Sequence, residues 1–277
     1  MYGGAPVAAD AVTDRPGWPG WDRPGGPADS PVEREDPALL SVLHRYLVAG
    51  EAFLDVGANV GLFSIDVALH LGPRGLVYAF EPAPDAVREL EKNARRSGVR
   101  DRIQIFSSAL GSRTQHRALR ADPRYPHDWT KRSLFSVGPV VEEVAVRAFD
   151  DLVRTGEITL PKGLEAVKID VEGAEAEVIR GMSNTLRELR PRIIVVETIP
   201  DHQDRAGSSV DEIGTLLAEV GYSPPPSGAQ TPYFVYNTIY VPAEQSEVAG
   251  RGLRDRRYGS AMLRLEGAEP ERVGVYV

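Results

Sequence analysis

The stretch FLDVGANVGLFSI, from Phe53 to Ile65, carries the feature that decides the fold of this chain. A short apolar run containing an acid leads into a glycine-rich turn, and a second apolar run follows. This order predicts a buried strand, a tight turn and the start of a helix. Gly57, Asn59 and Gly61 are residue types that tolerate the left-handed backbone of such a turn. In α/β proteins a turn of this kind binds nucleotides.

Outward from this turn, short apolar strands alternate with amphipathic helical segments. Strands are predicted at FLDV, LVYAF, RIQIF, EAVKID and RIIVVE, and a further strand or hairpin over residues 233–241. Helices are predicted near residues 61–71, 84–96 and 210–220, and after EAVKID, where apolar residues recur at helical spacing: Val178, Met182, Leu186 and Leu189. The segment from RIQIF to about residue 163 is predicted to be irregular. The alternation predicts an α/β fold, in which helices cover both faces of a mainly parallel sheet.

The composition is that of one globular domain with 277 residues, of which 42% are hydrophobic. The absence of cysteine excludes structural disulfides and Cys-ligated zinc, and it fits a reducing compartment. A net charge of -8 disfavours general nucleic-acid binding. The N-terminus does not resemble a signal peptide, and no apolar run approaches the roughly 18 to 20 residues that span a bilayer. We therefore expect a cytoplasmic protein that binds neither nucleic acid nor membrane.

The distribution of Pro and Gly predicts three regions along the chain. Residues 1–36 are rich in both and are expected to form a mobile arm. A helix around residues 37–49 leads into the main domain, residues 37–243. The charged, poorly patterned residues 244–277 form a tail to which the sequence assigns no role.

Asp55 and Glu81 indicate which nucleotide ligand the opening turn binds. Glu81 ends the second strand about 20 residues after Gly61, the usual offset for a carboxylate that accepts from ribose hydroxyls. Asp55 would repel the pyrophosphate of NAD(P), but it would attract the ammonium and sulfonium cations of S-adenosylmethionine (SAM). Charge therefore favours SAM, while a simple capping role for Asp55 in the turn stays open.

Six segments, taken in chain order, resemble the FkbM-type methyltransferase family: FLDVGANVGLFS, VYAFEPAPDAVRELEKN, SSALG, RAFDDL, VKIDVEGAEAEVIRGM and RPRIIVVE. The resemblance extends over about residues 54–242. It implies a class I (Rossmann-like) methyltransferase fold, with a central seven-stranded sheet that ends in an antiparallel hairpin. It also implies O-methylation of a sugar or of a polyketide-type natural product.

The resemblance further implies roles for individual residues around SAM. Glu81 would hold the ribose, and Ser108 and Ala109 would lie beside the adenine. The methionine part of the cofactor would be lined by the opening turn, that is by Asp55, Gly57, Ala58, Asn59 and Gly61.

The segment VKIDVEGAE places charged side chains at the carboxyl end of the fourth strand. Lys168 and Asp170 share one side of this strand because side chains alternate with a period of two. An alcohol acceptor needs a base as the new bond forms, and we expect Asp170 in that role, with Glu172 as the second candidate. Lys168 would pair with Asp170 or with Glu197, which ends the fifth strand, although a purely structural pair stays open. Glu175 is expected to cap the following helix.

A divalent metal is a further expectation at these strand ends. Asp170 and Glu197 end adjacent strands and offer oxygen ligands for Mg²⁺, with room for waters and an acceptor hydroxyl. The five histidines show no metal-ligand spacing. His202, in the segment IPDH, could reach the crevice as a base or remain in a surface loop.

An insertion between the third and fourth strands, at about residues 112–145, is predicted to form a lid over the acceptor. Tyr125 and Trp129 would stack on a sugar or ring face, and neighbouring cations would suit an anionic group on the acceptor. A solvated segment without a ligand is the alternative. The cations are Arg113, Arg117, Arg120, Arg124, Lys131 and Arg132.

The leading hypothesis from the sequence is a SAM-dependent O-methyltransferase that acts on a hydroxyl of a natural product or sugar. Its small-molecule acceptor would be of glycoside, nucleoside or polyketide type. Two alternatives stay open at this point: an NAD(P)-dependent oxidoreductase, and a non-catalytic nucleotide-binding module.

Overall fold

A computed structural model of the protein describes residues 31–124, 131–224 and 237–246, with side chains from residue 39 onward. Within these ranges, no helix combines the length and apolar character needed to cross a lipid bilayer. Residues 1–30 of the predicted arm and the tail beyond residue 246 lie outside the described residues, as do Tyr125 and Trp129.

Strands and helices alternate through most of the described chain, as the sequence pattern predicts. In chain order they are α1 Pro31–Tyr46, β1 Ala52–Val56, α2 Leu62–Leu71, β2 Leu76–Phe80, α3 Pro84–Arg96, β3 Ile103–Phe106, β4 Ala109–Leu110, β5 Gln115–Arg120, β6 Val140–Arg147, α4 Phe149–Arg154, β7 Ala166–Ile169, α5 Glu175–Gly181, α6 Ser183–Leu189, β8 Ile193–Glu197, α7 Pro200–Arg205, α8 Val210–Glu219, β9 Tyr222–Ser223 and β10 Asn237–Pro242.

The main sheet has seven strands in the order β3-β2-β1-β7-β8-β10-β9. The five strands from β3 to β8 pair in parallel, whereas β10 runs antiparallel to both β8 and β9. The predicted mainly parallel, seven-stranded sheet with a terminal antiparallel pair is therefore confirmed. This strand order places the carboxyl ends of β1, β7 and β8 side by side at the centre of the sheet.

Both faces of the sheet are covered, because alternate residues of each central strand point into different apolar clusters. Leu54 packs in one cluster with Leu217 of α8, and Phe53 packs in the other with Leu43 of α1. All four side chains are fully buried, at 0% exposure. Burial of such a side chain contributes about 1.5 to 3 kcal/mol, so the two layers hold the strand ends firmly in register.

The segment between β3 and β7 differs from the prediction of irregular structure. β4, β6 and β5 form a second, three-stranded sheet, and α4 follows it. Leu119, Val144 and Val146 are buried there, but most other residues of β5 and β6 are charged or exposed. These charges obscure the apolar alternation from which strands are predicted.

Three helices also differ from the sequence-based expectation. α1 begins at Pro31 rather than near residue 37. The single helix expected after β7 is divided into α5 and α6 at Met182. α7 was not expected at all; Pro200 occupies its first turn, where a fixed φ angle favours helix initiation.

Candidate active site

The opening turn leaves β1 with three residues in the left-handed region, Gly57 (φ 82°), Asn59 (φ 50°) and Gly61 (φ 93°). The backbone amides of Gly57 and Ala58 donate to Phe80 O at 2.9 and 3.0 Å, which fixes the turn against the end of β2. A Cβ atom at Gly57 would lie 1.7 Å from the carbonyl oxygen of the residue that follows β7. Glycine is therefore required there by close backbone approach as well as by φ.

Asp55 is the penultimate residue of β1 and is buried, at 1% exposure. Its Oδ2 accepts a 2.6 Å hydrogen bond from the Ser64 hydroxyl of α2, whereas its Oδ1 has no hydrogen-bond partner among the described residues. Burial raises the pKa of Asp55 above its usual value. Asn59 Oδ1 in the same turn is likewise buried without a hydrogen-bond partner in the described structure. Two unsatisfied acceptors at one turn fit a ligand that brings a cationic donor, such as the ammonium group of SAM.

Glu81 lies where the sequence predicted it, directly after β2. Its two carboxylate oxygens accept from the backbone amides of Asn59, at 2.9 Å, and Ala83, at 2.8 Å. Burial raises the pKa of Glu81 to about 7. Each carboxylate oxygen retains a second lone pair, which could accept from a ribose hydroxyl.

Ser108 and Ala109 follow the end of β3, as predicted. Ser108 is half-buried, and Ala109 begins β4, where it pairs with Val146 of the small sheet. The proposed adenine-binding position is therefore built at the junction between the main sheet and the small sheet.

Lys168 connects the opening turn with the acids that follow β7. Its ammonium donates to Asp170 Oδ2 at 2.9 Å, lies 4.0 Å from Asp55 Oδ1 and stands 4.6 Å from the ring centroid of Phe63. Of the two pairings that the sequence left open, the structure contains Lys168 with Asp170. Burial acts to raise the pKa of Asp170, but the Lys168 ammonium and the nearby Lys131 and His202 together hold that pKa below its usual value. The opening turn and the acids that follow β7 are consequently in direct contact through Lys168.

Glu172 has an unusual backbone conformation for a non-glycine residue, with φ at 56°. Its Oε1 accepts from Lys131 Nζ at 2.9 Å, and its carbonyl oxygen accepts from the Ser133 hydroxyl at 2.7 Å. Both donors belong to the insertion, so this segment docks directly on the acidic turn after β7. The predicted lid thus contacts the site through Lys131 and Ser133.

Glu175 begins α5, as expected from its position, but its carboxylate binds the turn before the helix rather than the helix itself. Its Oε1 accepts from the backbone amides of Val171, at 2.9 Å, and Gly173, at 3.2 Å, while its Oε2 accepts from Gln203 at 2.6 Å. These bonds join the start of α5 to α7.

Glu172, Glu197 and His202 converge at the ends of β7 and β8, and we call them the acid–histidine cluster. His202 Nδ1 lies 3.1 Å from Glu172 Oε2 and 3.5 Å from Glu197 Oε2. Burial, and then the neighbouring carboxylates of Asp170 and Glu172, raise the pKa of Glu197 well above its usual value. Burial lowers the pKa of His202. Asp170 is not part of this cluster. The pair that was expected to bind Mg²⁺, Asp170 with Glu197, is therefore not the group of potential metal ligands found among the described residues.

The sequence left open whether His202 reaches the crevice or remains in a surface loop, and the structure places it beside the acids. The available signal was IPDH, in which a proline follows a strand end and can start a helix whose first turn lies over the sheet edge. His202 occupies that turn in α7 and is 8% exposed, which excludes the surface-loop alternative.

Most arginines of the insertion contact other residues of the insertion. Arg124 pairs with Asp122, and Arg132 pairs with Asp85. Arg117 lies over the ring of Phe135 and donates to a backbone carbonyl, and Arg120 also donates to a backbone carbonyl; Arg113 is exposed. Most of this positive charge therefore stabilises the insertion itself.

Comparisons with known proteins identify the family. A family model described as "Methyltransferase FkbM domain" matches residues 55–224. Hexuronic acid methyltransferase AglP of Haloferax volcanii is 29% identical over 190 residues, which cover 69% of this chain and 71% of that protein. Methyltransferase 1 of Beauveria bassiana is 26% identical over 159 residues, which cover 51% of this chain and 62% of that protein.

Solved structures of similar fold include the O-methyltransferase TomG of Streptomyces achromogenes in complex with SAM. It shares 16% sequence identity, with a TM-score of 0.47 over 77% of this chain and 82% of that chain. Because the family model covers more than half of the 277 residues, the protein belongs to the FkbM methyltransferase family and is a SAM-dependent methyltransferase with the class I fold.

Proposed function

We propose that the protein transfers the methyl group of SAM to an oxygen of a small molecule, most simply a hydroxyl of a sugar or natural product. The observation that carries this proposal is the continuity of the site. Lys168 contacts the unsatisfied carboxylate of the cofactor turn on one side and Asp170 on the other. The carboxylate that could bind the cationic part of SAM therefore lies next to the acids where the acceptor would lose its proton.

Methyl transfer to oxygen is an in-line displacement, and bound SAM supplies an electrophilic methyl group on a positively charged sulfur. Alignment of reactants accounts for much of the rate, since effective molarities reach about 10⁵ M or more. In our proposal Asp55, Glu81 and the opening turn fix the cofactor. Lys168 holds Asp170 in place, because its ammonium donates to that carboxylate at 2.9 Å.

The acceptor must lose a proton as its oxygen forms the new bond. Asp170 was the first candidate base, but its carboxylate is already engaged by Lys168. Glu172, the second candidate, lies in the acid–histidine cluster beside groups that have unsatisfied atoms. We therefore assign activation of the acceptor hydroxyl, which must lose its proton, to the acid–histidine cluster, and a positioning role to Asp170.

The acceptor class is inferred from the name of a relative. AglP is named as a hexuronic acid methyltransferase, which favours a sugar or a sugar acid over a nucleoside or polyketide. An anionic acceptor remains part of the proposal, although most cations of the insertion already have partners within the protein. A carboxylate oxygen is the second candidate for the methylated atom, because the name of AglP refers to an acid.

Incubation of the purified chain with methyl-labelled SAM and a panel of glycosides, uronic acids, nucleosides and macrolides tests the proposal. Product mass and NMR identify the methylated atom, and Asp55→Asn is the control with a weakened cofactor site. We expect labelled product from a glycoside or uronic acid. A chain that binds SAM but methylates no oxygen acceptor, while it methylates nitrogen or carbon, would contradict O-methylation.

A further inference from the structure

We propose that the acid–histidine cluster is a metal site, in which Glu172, Glu197 and His202 bind a divalent first-row transition ion such as Mn²⁺ or Zn²⁺. One atom from each residue, two carboxylate oxygens and one imidazole nitrogen, lies within 4.8 Å of the other two. The three residues come from the turn after β7, the end of β8 and the start of α7. The fold thus brings them together from three separate elements.

Two members of the cluster have buried atoms that the protein leaves unsatisfied. Glu197 is 7% exposed and His202 is 8% exposed. Glu197 Oε2 and His202 Nδ1 make no hydrogen bond among the described residues, and both face the interior of the cluster. A buried polar atom that makes no hydrogen bond costs about 1 to 3 kcal/mol, so two such atoms that face each other across the cluster fit a missing ligand between them.

The spacing of the donor atoms fits coordination. Ligands bound at about 2.0 to 2.2 Å from one ion stand roughly 3 to 3.5 Å apart when they are neighbours. His202 Nδ1 lies 3.1 Å from Glu172 Oε2 and 3.5 Å from Glu197 Oε2. Lys131 binds the other oxygen of Glu172 at 2.9 Å, and so turns Oε2 towards His202. No large rearrangement is needed for an ion to enter.

The ligand types indicate the class of ion. Mg²⁺ and Ca²⁺ prefer an all-oxygen shell, whereas imidazole nitrogen suits first-row transition ions. Two carboxylates and one imidazole therefore favour Mn²⁺ or Zn²⁺ over the Mg²⁺ expected from Asp170 and Glu197. Asp170 is engaged by Lys168 instead.

The site's role rests on the proposed function. Three protein ligands leave coordination positions open, and one of these would take the acceptor hydroxyl. The ion lowers the pKa of the hydroxyl, whose proton passes to solvent water. The oxygen then forms a bond to the methyl carbon while the carbon–sulfur bond breaks and its electron pair stays on sulfur. The products are the methyl ether and neutral S-adenosylhomocysteine.

Calorimetric titration of the chelator-stripped, full-length chain with MnCl₂, ZnCl₂ and MgCl₂ tests this inference. We expect one Mn²⁺ or Zn²⁺ per chain, bound at least about tenfold more tightly than Mg²⁺. His202→Asn and Glu197→Gln should each weaken that binding by at least about 10- to 100-fold, because loss of a group that only orients a ligand already costs that much. His44→Gln is the matched control, because His44 also contacts a carboxylate, that of Asp66, but lies outside the cluster.

SAM affinity, measured on the same samples, separates the two proposals and reports folding. If the variants bind SAM normally and lose only the transition ion, the inference is supported. If the chain binds neither Mn²⁺ nor Zn²⁺, or if both variants bind them as the original chain does, the metal site is wrong. SAM turnover that survives EDTA would overturn the ion's role and leave the O-methyltransferase proposal intact. Absence of turnover with every acceptor and ion, despite normal metal binding, would count against the proposed function alone.

Discussion

At the scale of single residues, the charge of Asp55 is the property on which cofactor choice depends. Asp55→Asn keeps the shape and can still accept from Ser64, but it removes the negative charge that faces the cofactor turn. We expect SAM affinity to fall by about 10- to 100-fold, or about 1.4 to 2.8 kcal/mol. Thermal stability should not fall, because burial already disfavours the ionised carboxylate.

Calorimetric titration with SAM measures this change. Ser64→Ala is the matched control, because it removes the hydrogen bond to Asp55 and keeps the charge. It should weaken binding less than Asp55→Asn does. Equal affinity of Asp55→Asn and the original chain would show that Asp55 serves the turn structurally, which is the alternative that the sequence left open.

Glu81 predicts a pH dependence of folding stability. Burial raises its folded-state pKa from 4.5 to about 7, so the protonated form is the one that folding favours. The stabilisation attributable to Glu81 is therefore fully present below about pH 4.5 and is lost as the pH rises through about 7. Over this range the chain should lose up to about 3 kcal/mol relative to Glu81→Gln. Urea unfolding of both proteins at pH 5 and pH 8 measures the difference, and parallel pH profiles would contradict the assignment.

At the scale of elements, the opening turn and the end of β7 are in direct backbone contact. Alanine at Gly57 must adopt φ near 82° and would place its Cβ 1.7 Å from Asp170 O. Gly98 provides the control, because its φ is 68° and a Cβ there would meet nothing within 4 Å. We expect Gly98→Ala to cost about 1 to 2 kcal/mol, the penalty for a left-handed backbone alone.

Gly57→Ala should cost at least twice as much in urea unfolding and should also weaken SAM binding, because the strand ends that frame the site must separate. Equal losses of stability for the two variants would mean that the turn can move away from β7 without strain. In that case the site would be more plastic than its buried backbone contacts indicate.

At the scale of the whole molecule, the sequence was sufficient where local pattern and fold agree. Apolar runs such as those around Leu54 and Val167 are buried on both faces of a parallel sheet, and this pattern predicted the strands. The small sheet was not predicted, because Glu142 and Glu143 of β6 are exposed and interrupt the apolar alternation.

The candidate site, like the fold, could be predicted from the sequence only in part. Residues at strand ends, among them Asp55, Glu81 and Asp170, could be placed from the parallel topology alone. The contacts of Lys131 and His202 with Glu172 depend on how the insertion and α7 fold back over the sheet. Sequence spacing alone does not determine these contacts, because they join residues from separate elements.

The response of the whole fold to ligands gives the broadest test of the charge argument. A ligand that binds only the folded chain stabilises it by about 2.7 kcal/mol at a concentration 100 times its Kd. For a domain of this size each kcal/mol raises Tm by about 2 to 4 °C, so saturating SAM should raise Tm by about 5 to 10 °C. NAD should raise Tm little, because its pyrophosphate would meet the buried carboxylate of Asp55 next to the opening turn.

Thermal unfolding with SAM, S-adenosylhomocysteine and NAD measures these shifts, and Asp55→Asn should reduce the shift with SAM. A larger shift with NAD than with SAM would show that the charge of Asp55 does not select the ligand.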